Sequence, residues 1–160
     1  MTLDHRLLVK LLAKDAKIPT VANPGDLGYD VYALYDVKIL HNDALRQPAV
    51  VRTGIAVSAS LVDGPDCGWG NSYGESLGLI VKDRSSMAVK GVFTHGGVID
   101  AGYRGELKII MTSMADYDIK AGDKIAQIVP VRVYTGKNIQ QVEEFDATSR
   151  GVLGFGSSGK

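Results

Sequence analysis

Two stretches carry residues whose types and spacing suit chemistry. In GGVIDAGYRGELK, 96–108, Asp100 and Tyr103 stand three apart within a glycine-rich hairpin turn. That spacing sets a carboxylate and an aromatic face beside a backbone able to approach a flat ligand closely, since glycine adds no side chain. An ordinary hairpin would carry the same letters. In KDRSSMAVKG, 82–91, the adjacent Ser85 and Ser86 precede Met-Ala-Val-Lys. The serines predict the N-cap of a short helix, whose free N–H groups beside Arg84 would form an anion pocket. A capped turn with a solvated arginine is the plainer reading of that stretch.

A third stretch, GFGSSGK at 154–160, almost spells a phosphate-binding loop. That loop has the form G-x-x-x-x-G-K-[ST] between a strand and a helix, where backbone N–H groups and a helix N-terminus hold the phosphates. No Ser or Thr and no helical stretch follows Lys160, so the motif fails on context. Three glycines, two hydroxyls and the cationic Arg150 and Lys160 still suit an anion. Either a tail closes over a phosphate bound elsewhere, or the terminus is uninvolved.

The chain that must position these residues has 160 of them, 45% hydrophobic and 22% charged, with eighteen basic and eighteen acidic side chains. This length suits one domain with a proper core. The charge balance argues against both a polybasic nucleic-acid binder and an acidic disordered chain, so any anion site must be local. A single cysteine, Cys67, excludes an internal disulfide and a cysteine-rich zinc site. The apolar run LLVKLLA is broken by Lys10 and followed by Lys14, Asp15 and Lys17, which fits neither a signal peptide nor a membrane span. We therefore expect a soluble, cytoplasmic protein, in host cytoplasm if viral or phage-encoded, with neither nucleic acid nor membrane as partner.

Strand-like runs at 50–62, 76–83, 106–114 and 124–134 are rich in Val and Ile and partly alternate. Turn signals fall between them at NPGD, DGPD, DAGYRG and KAGD. No long 3.6-residue apolar period occurs, so the pattern predicts an all-β sandwich or barrel with one short helix. Segments 5–19 and 137–146 read as strands or edges, and 63–75, which holds Trp69, reads as a loop. His41 and His95 lack metal-ligand company, although His95 adjoins the 96–103 turn.

Five stretches together resemble the trimeric dUTPase family in its motif order: GDLGYDVYA (25–33), DRSSMAVKG (83–91), GGVIDAGYRGE (96–106), AGDKIAQIVP (121–130) and RGVLGFGSSG (150–159). The resemblance spans nearly the whole chain. It implies a jelly-roll-like distorted β-barrel over 1–147 with one short helix after the second motif, and a flexible C-terminal arm, 148–160. It further implies a homotrimer with active sites at subunit interfaces, and Mg²⁺-dependent hydrolysis of dUTP to dUMP and pyrophosphate. By the same resemblance Asp100 is the general base on the attacking water. Gly97, Val98, Ile99 and Lys108 meet the uracil edge, Tyr103 lies against the sugar where a 2′-hydroxyl would clash, and Thr94 joins the substrate-binding set. Arg84, Ser85, Ser86 and Gln127 meet the phosphates, and Asp30 reaches the metal indirectly, through water. From the arm, Arg150 bridges the terminal phosphate, Phe155 stacks on uracil, and Gly156 and Ser157 wrap the phosphates. Ser86, where many family members carry Gly, raises the related dCTP deaminases as an alternative. Those use a catalytic glutamate where this chain has Ile110, lack the tail, and usually carry Phe in place of Tyr103. A second alternative is a protein-binding regulator of the same fold, with the 63–75 loop meeting a protein partner.

Overall fold

The structure, a computed structural model, describes residues 4–41, 47–62, 75–134, 140–144 and 146. The predicted 63–75 loop, apart from its last residue, and the 148–160 arm lie outside them. Among the described residues there are eleven strands and one helical turn: β1 (Asp4–Leu11), β2 (Tyr29–Tyr32), β3 (Val37–Ile39), β4 (Ala49–Arg52), β5 (Ile55–Val62), β6 (Glu75–Lys82), α1 (Ser85–Ala88), β7 (Val92–His95), β8 (Val98–Ile99), β9 (Lys108–Ser113), β10 (Tyr117–Ile119) and β11 (Lys124–Tyr134). Among the described residues no helix is long and apolar enough to cross a membrane.

The strands pair antiparallel in four sheets, ordered β2-β11-β6-β8, β4-β9-β7, β1-β5 and β3-β10. The fold is jelly-roll-like, and its described ladders form separate sheets rather than one closed barrel. Inward-facing residues meet in one core that includes Val31, Val51, Ile55, Leu107, Ile109, Met111, Ile125 and Ile128. In β9 the alternation is plain: Ile109 and Met111 are buried, Lys108 and Ile110 exposed. Such two-residue periodicity is what a strand with one wet face requires. Pro130, which has no N–H to give, falls where β11 is flanked by β6 alone.

Several boundaries differ from the sequence-based expectation. The run 50–62 divides at Thr53 and Gly54, where Gly54 takes a left-handed φ of +69°. Segment 5–19 contributes the strand β1, whereas described residues after 139 form no strand. The helix lies inside the second motif rather than after it. The turn at 96–107 is longer than a hairpin: β7 and β9 pair with each other, while β8 between them pairs instead with β6.

The corner between β4 and β5 is tied to the start of β9 by a buried hydroxyl. Thr53 is buried and its Oγ1 donates to the Leu107 carbonyl, while the Leu107 N–H donates to the Ile55 carbonyl at 2.8 Å. Thr53→Val keeps the shape of the side chain but leaves that carbonyl without its partner in the core. We expect it to cost about 1–3 kcal/mol, read as a lower urea midpoint with unchanged slope.

Candidate active site

Asp30, Gln127 and Lys82 stand in one cross-strand row, because the ladders place Gln127 opposite Asp30 on one side and Lys82 on the other. Their neighbours Val31, Ala126 and Val81 point into the core, so the row faces away from it. Lys124 joins this face through a β-bulge. The register with β2 shifts between Lys124 and Ala126, and two successive residues, Ile125 and Ala126, are both fully buried. The extra residue reverses the alternation and turns Lys124 toward Asp30.

Asp30 is 8% exposed yet charged, and two cations hold it. Arg84 Nε donates to its Oδ1 at 2.8 Å, and Lys124 Nζ lies 2.8 Å from its Oδ2. The hydrogen bond to Asp30 raises the Lys124 ammonium above its ordinary 10.5, and the attraction of the same carboxylate adds to this against the cost of desolvation. Arg84 Nη1 also donates to Ser86 Oγ at 3.2 Å and to the Lys124 carbonyl at 3.3 Å. The guanidinium is thus fixed from three directions.

Arg84 itself takes the N-cap position of α1 in an extended conformation, without a side-chain cap bond. Ser85 and Ser86 are therefore the first two helical residues and not the cap expected from the sequence. Their backbone amides find no acceptor among the described residues, as the first turn of a helix requires. The preceding Asp83 is committed elsewhere: its Oδ1 accepts from both the amide and the hydroxyl of Thr94, each at 2.6 Å. Thr94 thereby ties β7 to the strand-to-helix turn. Gln127 Nε2 donates to the Asp83 carbonyl at 3.0 Å. The segment before β2 folds closely over that amide: a Cβ added to Gly28 would lie 2.3 Å from Gln127 Oε1. A larger residue there would push the Gln127 amide out of its place.

These groups line one cavity of about 530 Å³, which Asp30, Lys82, Arg84, Ser85, Ser86 and Gln127 share with Asp26, Leu27 and Gly28. The first, second and fourth motifs therefore meet in a single chain. The third does not line it: Asp100, Val98 and Tyr103 are exposed, Val98 at 73%, and Lys108 is exposed on β9. Gly97 has φ +98°, its carbonyl accepts from Val81 N at 2.7 Å, and a Cβ there would press on the Val81 carbonyl at 3.0 Å. This packing fixes the root of the turn that carries Val98 and the half-buried Ile99. His95 shares a 2.7 Å hydrogen bond with Thr112, and His41 Nδ1 lies 3.1 Å from the Ser113 carbonyl, so both have structural partners. Arg150, Phe155, Gly156 and Ser157 lie outside the described residues. Sequence reasoning missed Lys82, Lys124 and Gly28 as parts of this site. Each sits in or beside a quoted motif, but its orientation depends on register.

A family model described as dUTPase matches residues 75–159, more than half of the chain. The deoxyuridine 5'-triphosphate nucleotidohydrolase of Debaryomyces hansenii is 36% identical over 162 residues, covering 98% of this chain and 89% of that protein. That of Vaccinia virus (strain Copenhagen) is 34% identical over 146 residues, covering 90% and 86%. Among solved structures, the Staphylococcus bacteriophage 80alpha dUTPase with dUpNHpp has a TM-score of 0.76 at 28% identity, with 97% of this chain and 99% of that one covered. A mutant dUTPase from phage phi11 of S. aureus, solved with attention to a structural Mg(II) ion, gives 0.69 at 27% identity over 89% of this chain and 99% of that one. A cavity built from three of the expected motifs, and relatives aligned across almost the full length, lead to one conclusion: the chain belongs to the dUTPase family of nucleotide hydrolases.

Proposed function

We infer that this enzyme hydrolyses dUTP to dUMP and pyrophosphate as a homotrimer, with Asp100 of one subunit working over the Arg84 cavity of another. The observation that carries this reading is the division within one chain: a cavity holding Arg84, Ser85, Ser86 and Gln127, with Asp100 and Tyr103 outside its lining. In this reading the triphosphate lies in the cavity against Arg84 and the amides of Ser85 and Ser86, with Gln127 bracing the wall. Uracil meets the backbone at Gly97, Val98 and Ile99, with Lys108 nearby. A 5-methyl group has no room, and cytosine reverses the donor and acceptor at position 4, leaving polar groups unpaired. Tyr103 lies against the sugar and rejects a 2′-hydroxyl. Asp100 takes a proton from the water that attacks the α-phosphorus, and the bond to the bridging oxygen of the β-phosphate breaks. Arg84, and Arg150 from the arm, meet the charge that gathers on the departing pyrophosphate.

Mg²⁺ fits this site as a passenger on the triphosphate. Among the described residues no three His, Cys, Asp or Glu side chains form a metal-holding group, and both oxygens of Asp30 already face cations. That donor set suits a small hard cation held by phosphate oxygens and water, with Asp30 on the wall reaching it at most through water. When bound, the ion offsets phosphate charge. Residues 148–160 would act as an arm of the single domain, closing over the nucleotide with Phe155, Gly156 and Ser157. The substrate places the enzyme with the nucleotide pool, in cytoplasm or host cytoplasm. Deamination of dCTP is disfavoured: the position where a glutamate is needed is Ile110, an exposed apolar partner of Val50 on β4.

Pyrophosphate release measured across dUTP, dTTP, dCTP and UTP with Mg²⁺, together with the mass in solution, tests this function. We expect turnover of dUTP alone by a trimer; a monomer of full activity, or ammonia released from dCTP, would refute it. Asp100→Asn should lower kcat by roughly 10²-fold or more while binding of dUpNHpp persists. Asp30→Asn should destabilise the fold in a pH-dependent way. Lys124 titrates higher when folded, so its contribution is complete below 10.5 and is lost as pH rises through the folded-state value. The stability gap between wild type and Asp30→Asn should therefore narrow in denaturant titrations above that pH.

A further inference from the structure

The loop that carries Asp100 and Tyr103 is gripped at its C-terminal root by an ion pair distant in sequence. Glu106, whose side chain is 11% exposed, accepts from Arg52 Nε at 3.1 Å on Oε1 and 3.0 Å on Oε2, and from the Gly54 amide at 2.9 Å on Oε1. Arg52 is steadied in turn by the Tyr35 ring, 5.8 Å from the guanidinium carbon. The next residue, Leu107, is fully buried and bonded to the same β4–β5 corner. Glu106 is thus set in place by its own side chain and by its neighbour.

Tyr103 depends on that placement. Its hydroxyl donates to the Glu106 carbonyl at 3.0 Å, and its ring lies against Gly105 so closely that a Cβ there would come within 2.4 Å of the hydroxyl oxygen. At the tip, Tyr103 N donates to the Asp100 carbonyl at 2.9 Å, and Arg104 Nη1 donates to the Ala101 and Tyr103 carbonyls at 2.8 Å each. These bonds hold the residues of the tip to one another. Among the described residues, the bond that links the Tyr103 side chain to the base of the loop runs to the Glu106 carbonyl, next to the ion pair.

We propose that the Arg52–Glu106 pair is a positioning device that acts through Tyr103 to set selectivity for deoxyribo- over ribonucleoside triphosphates. The proposal rests on the reading that Tyr103 faces the sugar. A ring that excludes one hydroxyl must be held to a fraction of an ångström, because a small shift opens the space the hydroxyl needs. An exposed tyrosine on a turn has no such precision by itself; the bond to Glu106 and the bare Gly105 supply it.

The test compares kcat/KM for dUTP and UTP in the wild type and in Arg52→Met, Arg52→Lys, Gly105→Ala and Tyr103→Ala, each checked for assembly and secondary structure. Arg52→Met and Gly105→Ala should lower the dUTP-to-UTP ratio by roughly tenfold or more, chiefly through better use of UTP, and Arg52→Lys should restore part of it. A general weakening of the fold would instead depress both substrates alike, and that result overturns the proposal. So does an unchanged ratio in Arg52→Met and Gly105→Ala when Tyr103→Ala loses selectivity. An unchanged ratio in Tyr103→Ala overturns the reading of Tyr103 itself. If Arg52→Met does not fold, Arg52→Lys decides the question: a dUTP-to-UTP ratio below the wild-type value supports the proposal, and an unchanged one overturns it.

Discussion

Asp30 is a carboxylate withdrawn from water and held between a guanidinium and an ammonium, and the cavity is organised around it. A buried charge without partners is prohibitively costly, so the presence of Asp30 compels Arg84 and Lys124 to converge. Convergence in turn fixes where β6 ends, because Arg84 must leave the strand extended and begin α1 at once. The two cations outnumber the carboxylate between them by one charge. Across the wall of the cavity, however, Lys82 and Arg84 stand against Asp26, Asp30 and Asp83, so what the site offers an anion is directed donors and not net positive charge.

How much of this could be seen in the letters varies with the range of the interaction. The strands 76–83 and 124–134 and the turn KAGD were legible because their signals are local: alternation, β-branched residues, and a glycine at φ +85° in Gly122. The two serines misled, since cap preference reads Ser85 as the last residue before the helix. Tertiary demand placed Arg84 there, to reach Asp30 some fifty residues earlier. Lys124 was invisible as a site residue for a related reason. Its position in the alternation points it to the core, and only the shifted register brings it round. Glu106 and Arg52 were equally hidden, because their pairing depends on β4 lying beside β9.

The motifs indicate which residues belong together, and among the described residues those of the third motif stand outside the cavity that the first, second and fourth line. The groups proposed to meet the phosphates sit on the four-stranded sheet and its exit turn. The groups that would read the base and sugar stand on an exposed excursion between β7 and β9, anchored at one root by Gly97 against Val81 and at the other by Glu106 and Leu107. Rigid placement of both halves suits a reaction whose catalysis is mainly geometry and charge.

The doubled inward residues Ile125 and Ala126 also determine how this stretch can change over evolutionary time. Strand faces are written in a two-beat rhythm, and here the rhythm skips once. Losing one of the two residues would do more than remove a few methyl groups: it would put everything before the skip out of phase with everything after it, sending Lys124 inward or Gln127 with it. Substitution at these sites is tolerable to the extent that volume is kept, whereas a change in length is not. The strand therefore behaves as a fixed-length spacer, and variation in chain length has to be accommodated elsewhere.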